Sequence, residues 1–491
     1  MTENTINVGG VSNVSNSTVQ IAGRDINNLY QQLPTRMPIA QAELEAAKAR
    51  LASLPTDTLP APDSSALADG SRLPWPRNPL FVGREDELKQ LAAQMQTGGT
   101  TIITTGIGGM GKTQLAIEFA HRYGRFFAGG VVWLSAERPA NLTDELAQCV
   151  HLDGMTRNRP ELLSLPIPDQ AAHVLAALTG PLPRLLILDN LEDPDLLPKL
   201  RPPIGGCRVL VTSRKHEWPR TTGSTLHLDV LEPAESRALL RELAPHLTDA
   251  DAAAVAAALD HLPLALHLAG NYLHVYHPRL DDYLAALADP KLLEHDSLTG
   301  RGTEDAPTGR EMHVAKTFAL SFKHLNPADP TDALALRLLT RAALFAPGEP
   351  IPTEVLNQTL GSDDAAPDPH DVTDARRRLL SVGLLETSGD DAVKLHRLLA
   401  AYADLNDPAP LADVERVLMR EAYQRNETGL PAAMTPILAH LRHAAERAFH
   451  REDADAATLL GNLGYYLNNM GDYPAARPLY ERALAIRERV L

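Results

Sequence analysis

Cysteine is nearly absent from this 491-residue chain, which has only Cys149 and Cys207. Two thiols cannot build a disulfide framework or a cysteine-ligated zinc site, so a reducing cytoplasm is the expected compartment. Aromatic residues make up only 4% of the composition, leaving leucine and alanine to fill the cores and favouring helices. No apolar run approaches a membrane span, and Met1 to Asn7 carries neither the basic nor the apolar part of a secretion signal. Positive charge is in deficit, with 46 Lys and Arg against 62 Asp and Glu, a net charge of -16. Broad capture of nucleic acid or an anionic membrane is therefore not expected. What is present is an ordinary globular composition, 44% hydrophobic and 22% charged, in a chain too long for one core. Roughly three or four consecutive domains are expected.

The chain is organised around Gly106-Ile107-Gly108-Gly109-Met110-Gly111-Lys112-Thr113. This stretch follows a β-branched run, Thr101 to Thr105, and opens a helical pattern, Gln114 to Tyr123. Strand, glycine-rich turn and helix together form the context of a phosphate-binding P-loop. Gly106, Gly108, Gly109 and Gly111 let backbone N–H groups close around phosphate oxygens, and the helix N-terminus adds its dipole. Lys112 would reach the β- and γ-phosphates, and the Thr113 hydroxyl would ligate Mg²⁺. Gln114, the next residue of the helix, is counted with the nucleotide-binding set.

Residues Thr2 to Tyr30 alternate Asn, Ser, Gly and Thr with isolated Val and Ile, and two β-forming runs, Thr5 to Val8 and Thr18 to Ala22, are separated by turn signals. Two readings stay open: a disordered polar tail, or a β-prone, self-templating segment free of charge and proline from Thr5 to Gly23. Thr18-Val19-Gln20-Ile21-Ala22-Gly23 resembles the core of RHIM-like amyloid signalling motifs found at the N-termini of some bacterial NLR-like proteins, with Ala22 inserted. Proline then punctuates Gln31 to Pro79, one helix is expected over Ala40 to Leu54, and Pro55 to Arg77 has the composition of a linker that would put the N-terminal segment on a tether.

Phe81-Val82-Gly83-Arg84-Glu85 reads as a short strand running into a helix that ends near Gln96. Its Val-Gly-Arg-Glu, about two dozen residues before the P-loop, resembles the start of an NB-ARC domain of the STAND class of P-loop NTPases. Later segments fit that resemblance. Val131 to Leu134 is a buried-type strand, and Arg184 to Asn190 is an apolar strand ending in a carboxylate, Asp189, as a Walker B strand does to hold Mg²⁺. Asp189 could instead cap a turn. The family usually has a second acid where this chain has Asn190, and an amide cannot act as general base, so hydrolysis is expected to be slow or to rely on Glu192 or Asp193. Cys207 to Arg214 ends in Thr-Ser-Arg, similar to the family's sensor 1; Arg214 would contact the γ-phosphate, unless it is a solvated surface charge. A last strand is expected at Leu226 to Leu228. Within the helical stretch Glu232 to Leu287, Leu262-Pro263-Leu264-Ala265 matches the family's Gly-Leu-Pro-Leu-Ala except that His261 replaces glycine. The resemblance implies that Pro263, Val82 and Arg84 line the adenine pocket, although a proline there could also simply break a helix.

Asp289 to Arg310 reads as a loop. Helices at Met312 to Leu325, Asp332 to Phe345, Thr353 to Leu360 and Asp371 to Val382 precede a hairpin, Leu384 to Thr387 with Ala392 to Leu395, which together describe a winged helix. At the place of the family's Met-His-Asp the chain has Leu395-His396-Arg397; His396 would contact the β-phosphate of bound ADP, or else be a structural histidine. Residues Leu411 to Arg447 are helical, and Ala457 to Arg489 carries the spacing of one tetratricopeptide repeat. One repeat cannot bury its own face, so the chain is expected to be a truncated piece, or the repeat to dock on the preceding helices.

The expected architecture is multidomain: a β-prone segment (1–30), a linker with one helix (31–79), a parallel-sheet α/β P-loop NTPase domain (80–230), a helical domain (231–310), a winged helix (311–405), a helical connector (406–456) and a tetratricopeptide repeat (457–491). By resemblance its function is an ATP/ADP-dependent switch with Mg²⁺, at most a slow ATPase, cytoplasmic, closed with ADP and self-associating with ATP. Association would cluster the N-terminal segments and recruit an effector sharing their motif, after a trigger is sensed at the repeat end, in bacterial immunity or regulated cell death. The alternatives are a STAND-type transcriptional regulator that binds DNA, disfavoured because the winged-helix region is not basic, and a steadily cycling ATPase.

Overall fold

A computed structural model of the chain describes residues 20–21, 24–25, 39–63, 67–104, 109–152, 162–163, 165–215, 217–219, 221–289, 311–361, 367–389, 391–396, 399–400 and 408–490. The N-terminal segment contributes one small antiparallel pair, β1 (Gln20–Ile21) with β2 (Arg24–Asp25). The β-forming run expected at Thr5 to Val8 lies outside the described residues.

In the central sheet the strands Val131–Ser135, Arg184–Asp189 and Cys207–Ser213 are runs largely apolar on both faces, as a sheet covered on both sides requires, whereas the edge strand Ser224–His227 is mostly polar. The sheet's strands are β3 (Thr100–Thr104), β4 (Val131–Ser135), β5 (Arg184–Asp189), β6 (Cys207–Ser213) and β7 (Ser224–His227). They pair in parallel in the order β4-β5-β6-β3-β7. The period of two sorts their side chains into two cores. Ile102, Val132, Leu134, Leu186 and Leu188 face α4 (Leu142–Ala147) and α5 (Ile167–Leu178). Ile103, Val131, Trp133, Leu185 and Ile187 face α1 (Gln41–Ala52), α2 (Glu85–Thr97) and α3 (Lys112–Tyr123). The P-loop strand β3 lies between β6 and β7, so β6 separates it from the carboxylate-bearing β5.

Two local expectations are corrected. Residues 81–84 are not a strand, because Gly83 and Arg84 take the left-handed conformation (φ +71° and +62°) and turn the chain straight into α2. The stretch Pro55 to Arg77 is not a tether. Leu59, Leu67, Leu73 and Trp75 pack on the α3 core, and Arg72 pairs in parallel with Val132 at the sheet edge. The Arg72 guanidinium donates to Glu145 (2.8 Å), Gln148 (2.7 Å) and the Trp133 carbonyl (2.6 Å), while Arg77 forks onto the buried Glu118. A Pro-rich composition is thus a strap across the domain, held by half-buried arginines.

Helices α6 (Pro233–Leu243), α7 (Asp249–Ala258), α8 (Pro263–Tyr276) and α9 (Leu280–Ala288) follow the sheet. Of the loop expected at Asp289 to Arg310, all but Asp289 lies outside the described residues. Next come α10 (Glu311–Lys323), α11 (Pro330–Ala342), α12 (Thr353–Gln358) and α13 (Pro369–Ser381), with a three-stranded antiparallel sheet, β8 (Ile351–Pro352), β10 (Ala392–Lys394) and β9 (Glu386–Thr387) in that order. This is the winged-helix arrangement, and β8 is a strand that the Pro-Gly-Glu-Pro turn signal concealed.

The chain ends in two helical pairs, α14 (Pro408–Glu427) with α15 (Pro431–Ala448) and α16 (Ala454–Asn469) with α17 (Tyr473–Val490). Gly464 lets α17 approach, since a Cβ there would already touch the Tyr480 ring at 3.3 Å. One apolar core runs from Met110 and Ile167 through the helical and winged-helix parts to Ile486. The C-terminal helices fold back onto the sheet domain. The Ile167 N–H donates to the Met470 carbonyl (2.7 Å) in the α16–α17 turn, and Arg442 of α15 pairs with the fully buried Asp144 of α4.

Candidate functional site

The carboxyl ends of β3, β5, β6 and β7 meet on one edge of the sheet, where parallel α/β folds place their ligands. Gly109 and Gly111 sit at φ +80° and +87°, and Gly111 caps α3. Glycine at the cap leaves no side chain over the start of that helix, whose dipole favours an anion, and a Cβ on Gly111 would meet nothing within 4 Å. Lys112 and Thr113 open the helix and Gln114 follows. Gly106 and Gly108 lie outside the described residues.

Across the edge, the Thr113 hydroxyl donates to Asp189 Oδ1 at 2.9 Å. This is about the separation of neighbouring oxygens on an octahedral Mg²⁺ with its short bonds. Hard oxygen donors on the P-loop helix and on β5 therefore fit the ion that the sequence implies. Mg²⁺ is held by one or two carboxylates plus phosphate and water, so no larger acidic cluster is needed, and none of three or more ligand-type side chains occurs among the described residues.

One residue of this edge was not singled out from sequence. The Thr212 hydroxyl donates to Asp189 Oδ1 (2.5 Å) and accepts from the Asn190 N–H (2.9 Å), fixing the carboxylate from the neighbouring strand. Its only signal was its place in the Thr-Ser-Arg. Asn190 itself turns the chain at φ +58°, a conformation asparagine tolerates, and its side-chain amide lies 3.4 Å from Asp189 Oδ2. Arg214 follows β6 and is bound to Glu192. The Glu192 carboxylate accepts from the Arg214 N–H (3.0 Å), the Arg214 Nε (3.2 Å) and the Ser213 hydroxyl (3.2 Å). Burial pushes the Glu192 carboxyl upward, but these hydrogen bonds and the guanidinium outweigh it and hold it below its ordinary value.

The helical part reaches the P-loop directly: the Leu264 N–H donates to the Gly109 carbonyl at 3.3 Å, one residue beyond Pro263 at the start of α8. His261, in the glycine position, adopts φ +55°, the conformation a glycine would supply. Its ring lies 3.0 Å from the Ser236 hydroxyl and its carbonyl accepts from Leu231. The backbone of the element is kept by contacts rather than by glycine. Val82 packs, half-buried, against the same core as Leu262 and Leu264. Arg84 is buried, but its guanidinium is taken by Glu87 (2.8 Å) and the Asp229 carbonyl (2.5 Å), and its N–H donates to Glu235. A base pocket would therefore meet this residue's backbone and not its charge. Glu235 also accepts from the Glu232 N–H, and a Cβ on Gly83 would collide with its carboxyl at 2.2 Å.

The winged helix covers the β4 end of the edge. Ser135 donates to Glu349 (3.3 Å), and Lys394 sits over the Trp75 ring at 4.2 Å. Burial, with Glu145 and Glu137 nearby, pushes Glu349 up to about 7 against the pull of Lys394 and the Ser135 hydroxyl. His396, two residues beyond β10, is half-buried and its carbonyl accepts from Leu399 and Ala400; Arg397 lies outside the described residues.

Fold and site together define the class: a multidomain protein with a P-loop NTPase fold, a winged helix and a helical tetratricopeptide end. A tetratricopeptide-repeat profile matches residues 456–491. The regulatory protein AfsR of Streptomyces griseus is 29% identical over 340 residues, 66% of this chain and 32% of its own length. A nucleotide-binding leucine-rich repeat (NLR)-like protein of Hyaloscypha variabilis is 23% identical over 470 residues, 85% of this chain and 45% of its own. The chain thus spans about a third to under a half of these relatives. Among solved structures, a STAND protein with a tetratricopeptide repeat sensor from Pyrococcus horikoshii matches at 17% identity and TM-score 0.49, over 85% of this chain and 59% of that one. No helix among the described residues is long and apolar enough to cross a membrane.

Proposed function

We propose that the chain is a nucleotide-operated switch: closed with ADP, opened by exchange for ATP with Mg²⁺, and self-associating in the open form. The observation that carries this reading is the Thr113 hydroxyl at the start of α3 lying on Asp189 at the end of β5, with the helical part bonded to the P-loop through Leu264. A ligand there would touch the joint between domains, so its phosphate count could govern their arrangement. Lys112, Thr113, Gln114 and the P-loop glycines would hold the phosphates, Val82, Arg84 and Pro263 the base, and His396 the β-phosphate of ADP. Thr113 and Asp189 would hold Mg²⁺, which neutralises developing phosphate charge when bound. Hydrolysis is at most slow, because Asn190 offers no base.

On this reading the repeat end senses a trigger, and the clustered residues 1–30 recruit an effector bearing a similar motif, in immunity or regulated cell death. The similarity to an NLR-like protein supports that direction. The test is to identify the nucleotide that co-purifies, then image the protein after ATP is added, with Lys112→Ala as blank. Bound ADP in monomers and larger assemblies after exchange are expected; material without purine nucleotide and without affinity for it would end the proposal. The similarity to a regulatory protein favours a second reading, DNA-binding regulation. Salt-sensitive binding to duplex DNA would select it.

A further inference from the structure

We propose that Glu192 sets the preference between nucleoside di- and triphosphate, by holding the Arg214 guanidinium until a γ-phosphate competes for it. The inference rests on the nucleotide reading above and deepens it. Glu192 lies three residues beyond Asp189, and Arg214 two beyond Thr212, whose hydroxyl sits on that same Asp189. The ion pair therefore closes the gap between two neighbouring strand ends beside the phosphate edge. It is made of the Arg214 Nε at 3.2 Å and the Arg214 N–H at 3.0 Å from one carboxylate oxygen, with the Ser213 hydroxyl on the other.

A guanidinium presents the same fork to a carboxylate and to phosphate oxygens, so a γ-phosphate can replace Glu192 one anion for another. The Arg214 and Glu192 side chains are 47% and 31% exposed, so neither is trapped and water can take the released carboxylate. A diphosphate has no γ oxygens to offer, and with it the arginine stays on Glu192. The pair thus weakens triphosphate binding selectively. A carboxylate that merely pinned the loop after β5 would influence both nucleotides alike.

The test uses the full chain stripped of nucleotide, with a fluorescent ADP and a fluorescent non-hydrolysable ATP analogue in Mg²⁺. Glu192→Gln and Glu192→Ala are each expected to tighten the triphosphate about two- to fivefold, the range a part-exposed ion pair supports, and to leave the diphosphate essentially unchanged. On an Arg214→Ala background, Glu192→Gln is expected to change neither. Equal shifts for both nucleotides, no shift, or a gain that persists without Arg214 would overturn the proposal. Thermal melts check each fold, and the isosteric glutamine variant carries the test if the alanine one is unstable. Wild-type protein that binds neither nucleotide would refute the nucleotide reading itself; wild-type binding with an unaltered ratio in Glu192→Gln refutes only the role of Glu192.

Discussion

Two joints attach the rest of the chain to the sheet domain, and they are made of different materials. At the helical joint Val82, Met110, Leu231, Leu262 and Leu264 belong to one apolar core, with a backbone bond from Leu264 to Gly109. At the C-terminal joint Ala147 and Ile167 also reach that core, but charged and polar contacts are added around them: Arg442 on Asp144, Arg138 on His443 (2.7 Å) and Glu446 (3.4 Å), Ser135 on Glu349. The first of these is incompletely satisfied. Asp144 Oδ1 and Arg442 Nε are buried without hydrogen-bond partners, although the opposite atoms of the same two groups are paired. Apolar area separates only at a cost proportional to its size, whereas a half-satisfied buried ion pair regains hydration when it parts. The first joint is therefore suited to staying shut and the second to opening.

The comparison can be broken most forcefully at Arg442. Replacement by alanine leaves Asp144 buried and alone, a loss of about 3–5 kcal/mol that is expected to appear as opening. Small-angle scattering and amide exchange in α4 and α15 read it, and an unchanged envelope would contradict the assignment. Leu262→Ala, at a fully buried position, should cost about 2–5 kcal/mol, but as a lowered melting temperature of the sheet and helical parts together, without separating the C-terminal helices. Glu349 gives a pH handle of about 3 kcal/mol. Its carboxyl, raised from 4.5 to about 7 in the closed form, binds a proton that the open form releases earlier. Closure should weaken as pH rises from about 4.5 to about 7 and be flat above. His440, depressed to about 4, and His443, to about 3, act in the opposite sense below 6.5, so the readout is the difference between wild type and Glu349→Gln.

A sharper variant pairs Asp144→Leu with Arg442→Met. Removing both charges is expected to hold the C-terminal joint shut by about 1–4 kcal/mol, and a looser joint would show that the pair is a net stabiliser. The smallest effect is at His261. Glycine relieves a left-handed backbone, worth about 1–2 kcal/mol, but loses the Ser236 contact, of similar size. The melting temperature should move by only a few degrees, and a large drop would place His261 in the core of the helical joint rather than on its turn.

Where sequence and structure agree, the reason is local. A turn that must pass a backbone close to an anion needs glycine at fixed offsets, and a buried parallel strand needs an unbroken apolar run, so the turn at Gly109 to Gly111, the helix it opens and the strand that ends in Asp189 could be placed by reading along the chain. The winged-helix hairpin was legible for the same reason. Trp75 and Arg72 were not: their stretch reads as a linker by composition, and only the Trp133 edge and Glu145 make it a strap. Nor was β8, whose partner Val393 lies some forty residues away and whose own sequence signals a turn.

The sequence by itself determined that a glycine-rich P-loop motif, a carboxylate at one strand end and an arginine at another exist in one chain, in order, within an α/β domain followed by helices and a repeat. Only the tertiary structure decided that Arg214 rests on Glu192, that Thr212 steers Asp189, and that Arg442 finds Asp144 across 298 positions. Spacing along a chain encodes the conformation of a few neighbouring residues. Which charge meets which depends on how separate elements stack, and that is settled by burial of apolar surface the charges themselves do not specify.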